Sequence, residues 1–225
     1  WLESARTVSS LSLSDSPLQL ICLGSRPIPN GCFSNLNSLS VEGCEFLSDV
    51  VLPFFLLPFL TNLKELEVSD CRSVKSIFDV KCITQERERK PLPFALKELT
   101  LKWLPKLKNV RNEDPHGILS MKLLQHVNVK QCERLTSVFP ASVTKDLVKL
   151  EDLVVVDCEE LMEIVADDNA DPRGANLELT FPCPCVSSLK LQGLPKFKYI
   201  YYCSLQCDMF ETRTVGTEDQ VCDEK

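Results

Sequence analysis

Twelve cysteines stand among the 225 residues of this chain, and a thiolate in the right company ligates zinc, attacks an electrophile or closes a disulfide. The most suggestive cluster is Cys183-Pro-Cys185 with Cys203 and Cys207. No paired C-x-x-C and no neighbouring histidine accompanies it, so no metal is expected. Four others, Cys44, Cys71, Cys132 and Cys158, occupy a position that Leu104 and Leu194 fill elsewhere in the chain. A position that accepts leucine is a packing position, and a buried free cysteine behaves there as a small hydrophobe. Unpaired thiols in such a place imply a reducing compartment.

Imidazole chemistry is equally sparse. His116 sits in the turn-like EDPHG stretch and reads as solvated, whereas His126 falls on a strand face from which it can contact a partner. Neither has a catalytic companion. A nucleophile beside a base, a G-x-x-x-x-G-K-[ST] loop and a G-x-S-x-G elbow are all missing from the sequence, so neither an enzyme nor a cofactor is expected.

The elements that position these residues follow one recurring pattern, L-x-x-L-x-L/V-x-x-C/L-x-x-L-x-x-V/I. Its copies are Leu36, Leu39, Val41, Cys44, Leu47, Val50; Leu63, Leu66, Val68, Cys71, Val74, Ile77; and Leu96, Leu99, Leu101, Leu104, Leu107, Val110. Three more follow at Leu124, Val127, Val129, Cys132, Leu135, Val138; Leu150, Leu153, Val155, Cys158, Leu161, Ile164; and Val186, Leu189, Leu191, Leu194, Phe197, Ile200. Every one of these positions is apolar in a chain that is 44% apolar, so the phase is not a coincidence of composition. A degenerate copy begins at Val8, Leu11 and Leu13 but continues with Ser16 and Gln19, as terminal repeats often do.

The L-x-L/V segment has the period of a strand, with alternate residues turned inward. The later triple spacing suits a helical or 3-10 return. Stacked units then give an α/β solenoid of the leucine-rich-repeat kind, curved, with a parallel sheet on the concave face and an irregular, 3-10 or short helical convex side. Residues 1–202 are expected to form this domain in about six or seven repeats, and 203–225, which lose the phase, a poorly ordered tail or a truncated next unit.

The strand residues between the inward ones face solvent and are the candidate contacts for a protein partner. They are Glu65, Glu67 and Glu98, an acidic group; the basic Lys102, Lys130 and Lys190; and His126, Asp152 and Val154. Trp103 fills the end-of-strand position held elsewhere by Gly43, Asp70, Gln131, Asp157 and Gly193, and reads either as a contact on the rim or as a cap on the next unit. Two inserts, Asp79 to Pro93 and Ala166 to Glu178, are charged or turn-rich and read as solvent loops acting as spacers.

Composition sets the outer bounds. A net charge of −7 and a pI near 5.0 argue against a nucleic-acid surface. The longest apolar run, Val50 to Leu60, is interrupted by two prolines and is shorter than the roughly 20 residues a bilayer crossing needs. No membrane span is expected. The chain starts at Trp1 without a leader and is expected to be a fragment. No Asn-X-Ser/Thr acceptor occurs in it, which favours an intracellular, cytoplasmic protein.

The units come in two types, FSNLNSLSVEGCEFL, LTNLKELEVSDCRSVKSIF, LLQHVNVKQCERLTSVFP and LVKLEDLVVVDCEELMEIV against FALKELTLKWLPKLKNV and VSSLKLQGLPKFKYI. Over residues 33 to 202 this resembles the repeat region of plant nucleotide-binding leucine-rich-repeat disease-resistance proteins, the coiled-coil class in particular. The resemblance implies recognition of a pathogen effector or of a guarded host protein. It also implies an intramolecular partner, a nucleotide-binding switch domain that the repeats restrain. The phosphate-binding loop of that domain is not in this chain, so nucleotide binding does not carry over. The substrate-recognition repeats of F-box ubiquitin-ligase adaptors also carry cysteines at this place and are the alternative.

Overall fold

The computed structural model describes residues 7–14, 28–45, 47, 49–80, 92, 94–111, 119–140, 143, 146–166, 185–198 and 200. Each copy of the repeat begins with a five-residue strand. These strands are β1 (Ser10–Ser14), β2 (Ser38–Glu42), β4 (Glu65–Ser69), β6 (Glu98–Lys102), β8 (His126–Lys130), β10 (Asp152–Val156) and β12 (Ser188–Gln192). Together they form a seven-stranded sheet in the order β1-β2-β4-β6-β8-β10-β12, parallel throughout. Between its members run the three-residue strands β3 (Val50–Leu52), β5 (Ser76–Phe78), β7 (Asn109–Arg111), β9 (Ser137–Phe139) and β11 (Glu163–Val165).

Register follows from the inward residues. Leu39, Leu66, Leu99, Val127, Leu153 and Leu189 stand opposite one another along the sheet, and Val41, Val68, Leu101, Val129, Val155 and Leu191 form the next row. From Leu39 to Leu153 and from Val41 to Val155 these residues are 2% exposed or less. Slipping any strand by one residue would turn Glu65, Glu98 or Asp152 into that row, so burial on one face pins the pairing. The backbone ladder reaches one residue further at each end: before the strands Lys97 N–H donates to the Lys64 carbonyl, and after them Asp70 N–H donates to the Lys102 carbonyl.

The return half of the unit takes the irregular form among those its triple spacing allows. After the strand, one tight turn closes with a bond from Leu107 N–H to the Leu104 carbonyl, and likewise Leu135 to Cys132 and Leu161 to Cys158. The chain then extends into the short strands, which pair as β3-β5-β7 and β9-β11. A 3-10 turn, Leu57–Phe59, forms where Pro58 fixes φ inside the longest apolar run. No helix among the described residues is long and apolar enough to cross a membrane.

One register differs from the repeat as written. Val50 stands opposite Ser76 rather than Ile77, so the structural counterpart of Ile77 is Val51, which is buried while Val50 is only half-buried. The first clear unit carries one extra residue in its turn. Arg111 is the other surprise: it occupies the column of Leu52, Phe78, Phe139 and Val165, is buried, and donates from Nη1 to the Leu119 carbonyl at 2.8 Å.

Candidate protein-interaction face

The four column cysteines are buried in the core and form no disulfide. Each sits just past its strand and lies near the carbonyl of its own last strand residue: Cys71 Sγ is 3.3 Å from the Ser69 oxygen, and Cys132 and Cys158 are 3.5 Å from Lys130 and Val156. Burial pushes the Cys71 thiol up to about 11 from an ordinary 9.0. Cys132 is held well above the ordinary value by its hydrogen bond to Cys158 and then by burial. The raised Cys71 and Cys132 thiols stay neutral and are therefore poor nucleophiles and poor metal ligands, whereas the same hydrogen bond to Cys132 lowers Cys158. Among the described residues no cluster of His, Cys, Asp or Glu is placed to hold a metal ion. Cys183, Cys203, Cys207 and His116 lie outside the described residues, as do most of the two inserts and the 203–225 tail.

The thiol reading has a measurable consequence. Because folding raises the Cys71 value, its contribution to stability is complete below about pH 9 and is lost as the pH climbs through about 11. The melting temperature of the chain is expected to fall across that window, and to fall less steeply in Cys71→Ala. At pH 8 iodoacetamide should modify the exposed Cys185 and spare Cys71 until the protein is unfolded; equal labelling of both would contradict the buried, neutral thiol.

Nine of the ten proposed contact residues share the solvent face of the sheet. Glu65, Glu98, His126 and Asp152 are consecutive rungs of one row; Glu67, Thr100, Asn128, Val154 and Lys190 make the next; Lys102 and Lys130 are neighbours in the third. Glu65, Glu98 and Lys190 are exposed, and Glu67, Lys102, His126, Lys130, Asp152 and Val154 are half-buried by one another. Strands about 4.8 Å apart put such neighbours in reach of each other. Lys102 Nζ lies 2.8 Å from Glu67 Oε1, and His126 Nδ1 lies 2.6 Å from Asp152 Oδ2.

The acidic and basic groups expected from sequence are therefore interleaved. Glu67 is paired with Lys102 across the β4–β6 step, leaving Glu65 and Glu98 as an acidic step with no ion-pair partner among the described residues. At this exposure each pair contributes less than about 1 kcal/mol to the fold. Their effect is to orient: a lysine held against a glutamate presents one rotamer instead of many.

Trp103 is the tenth residue, and it stands on the rim with 52% of its surface exposed. The chain leaves β2, β4, β6, β8, β10 and β12 through a left-handed residue: Gly43 at φ 63°, Asp70 at 48°, Trp103 at 52°, Gln131 at 54°, Asp157 at 54° and Gly193 at 64°. This turn lets the Trp103 N–H donate to the Lys130 carbonyl and the Gln131 N–H to Val156, one further rung of ladder per unit. A left-handed conformation costs an ordinary side chain roughly 1–2 kcal/mol and is least unusual for Gly, Asn and Asp. Tryptophan is the odd member of the column.

Sequence reasoning placed Trp103 but missed what it stands in. A groove of about 580 Å³ runs along the rim past Asp70, Trp103, Gln131, Asp157 and Gly193. Its other wall comes from the residues two further on in each unit, among them Arg72, Pro105, Glu133 and Glu159. The left-handed column was visible in the sequence. Its meaning as a bend that splays two rows apart was not, because backbone handedness leaves no mark in hydrophobic periodicity.

Comparisons with known proteins point one way. A family model described as plant disease resistance protein RPS2-like, leucine-rich repeats, matches residues 7–159. A probable disease resistance protein of Arabidopsis thaliana, At4g27220, is 28% identical over 100 residues, which is 44% of this chain and 10% of that protein. The matched stretch is about a tenth of that relative's length. No solved structure matches. With the family model covering well over half of the chain and the stacked parallel strands beneath it, the protein belongs to the RPS2-like leucine-rich-repeat family of plant disease resistance proteins.

Proposed function

We propose that this chain is the recognition module of a cytoplasmic plant immune receptor. Its open sheet face engages a pathogen effector or a guarded host protein, and its repeats restrain a nucleotide-binding switch carried outside this chain. One observation carries the reading: residues from five consecutive strands are held at fixed register on a single solvent face, with no packing duty there. Pre-positioned side chains lose little freedom on binding, which favours recognition of a folded surface. Interleaved charges select by complementarity and reject mismatched partners. Buried cysteines that form no disulfide support a reducing compartment.

The test uses the full-length receptor. Replacing Glu67, Lys102 and Lys130 together by alanine is expected to weaken partner binding about tenfold or more, equivalent to about 1.4 kcal/mol, and to remove the effector-triggered cell-death response. Protein accumulation should be unchanged, since these side chains leave the core intact. Full retention of affinity and response would refute the face as the recognition surface.

A further inference from the structure

We propose that the rim groove binds an extended, basic segment of the protein partner, with an arginine or lysine laid against the indole of Trp103. This deepens the recognition reading and rests on it. The left-handed exits after β4, β6, β8, β10 and β12 and the residues two positions further on give two rows of side chains from successive units, and both rows line the groove. From the β4 unit to the β12 unit there are four inter-strand steps of about 4.8 Å, a span of about 19 Å that roughly six extended residues at about 3.3 Å each would fill.

Trp103 shows that the groove is kept for contact. It is the most exposed of the large apolar side chains described, and it holds a positive φ in a column where Gly43 and Gly193 would serve the fold without strain. Packing does not account for it. Large aromatic side chains held in this manner are the usual anchors of binding surfaces, and an indole face attracts arginine and lysine.

Charge names the occupant. On the side of Trp103 toward β12, the groove is lined by Glu133, Asp157 and Glu159, none of which has a basic partner among the described residues. On the other side Arg72 lies 3.7 Å from Asp70 and is offset by it. The groove thus repels acidic segments and phosphate backbones and attracts a cationic strand. Pro105 and Pro195 add apolar wall without a backbone N–H to compete for polar partners.

The test is a titration of the whole chain with a fluorescent, N-acetylated peptide alternating Arg and Val, and with its Glu-for-Arg counterpart, read by anisotropy at low and high salt. The basic peptide is expected to bind, more weakly as salt rises, and the acidic one not at all. Trp103→Gly should melt no lower than wild type, because glycine already fills this column, yet bind the peptide about tenfold more weakly or worse. Glu133→Lys combined with Glu159→Lys should abolish binding. The proposal is overturned if both peptides bind alike, if neither binds, or if these variants bind as wild type does. The triple alanine variant at Glu67, Lys102 and Lys130 should bind the peptide normally. Loss of peptide binding there would move the basic segment onto the sheet face, ending the groove assignment while leaving the recognition reading intact.

Discussion

Leu101→Asp is expected to abolish cooperative unfolding of the described solenoid as a single unit. Leu101 is completely buried on β6, the middle strand of the large sheet, between Val68 and Val129. Losing the leucine from a packed site costs about 2–5 kcal/mol. Leaving a carboxylate there without a partner adds roughly 3–5 kcal/mol more, unless it takes up a proton. That sum rivals the roughly 5–15 kcal/mol that hold a domain together. A stack of repeats is close to one-dimensional, so the damage severs the neighbours' shared core rather than spreading evenly. Urea unfolding followed by circular dichroism should show a broad, early transition. Leu101→Val is the control, because valine occupies the same row at positions 41, 68, 129 and 155, and it should cost only about 1 kcal/mol. A wild-type melt for Leu101→Asp would mean that this row is not the spine of the fold.

The same row explains why so much of the architecture was legible in the sequence. A residue that must be buried in every unit leaves an apolar mark at fixed spacing, and Val68, Leu101, Val129 and Val155 are such marks. The cysteine column was readable for the same reason: Leu104 stands where Cys71 and Cys132 stand, so the side chain fills volume. The return was left open between irregular, 3-10 and short helical forms because triple spacing fits both a helix and a tight turn followed by a short strand, and only the position of the hydrogen bonds separates them. The extra residue before Val51 was hidden because Val50 and Val51 are both apolar. Arg111 was hidden because its burial depends on the Leu119 carbonyl, which no local pattern reveals.

The candidate face was legible in membership and illegible in pairing. Alternation alone put Glu67 and Lys102 on the solvent side. That they meet at 2.8 Å depends on the chain returning, 35 positions on, to the same register. Their spacing in sequence includes the whole charged insert from Asp79 to Pro93, and a fixed repeat length would have misplaced the partner. What preserves register across unequal units is the inward row, which tolerates any length of loop that brings the next leucine back.

Gly193→Val should be the most damaging change that touches no core residue. Gly193 holds φ 64°, and a Cβ there would fall on Asp157 Oδ1 and lie 3.2 Å from Asp157 Cα. The carboxylate can rotate away, but the backbone atom cannot, so a β-branched residue meets both the contact and the left-handed strain. A loss on the order of 2 kcal/mol is expected, the strain alone supplying about 1–2 of it. Position along the stack decides how that loss appears. Gly193 follows β12, whose inward residues Leu189 and Leu191 are only half-buried, so the unit can open without disturbing β4 to β8. Hydrogen exchange at the β12 amides should therefore accelerate about thirtyfold, given about 1.4 kcal/mol per factor of ten, while β6 stays protected. Adding Asp157→Gly should recover the part owed to the carboxylate and none of the part owed to φ. Unchanged exchange at β12, or a loss shared equally by every strand, would show that the rim turn does not hold this unit to the ladder.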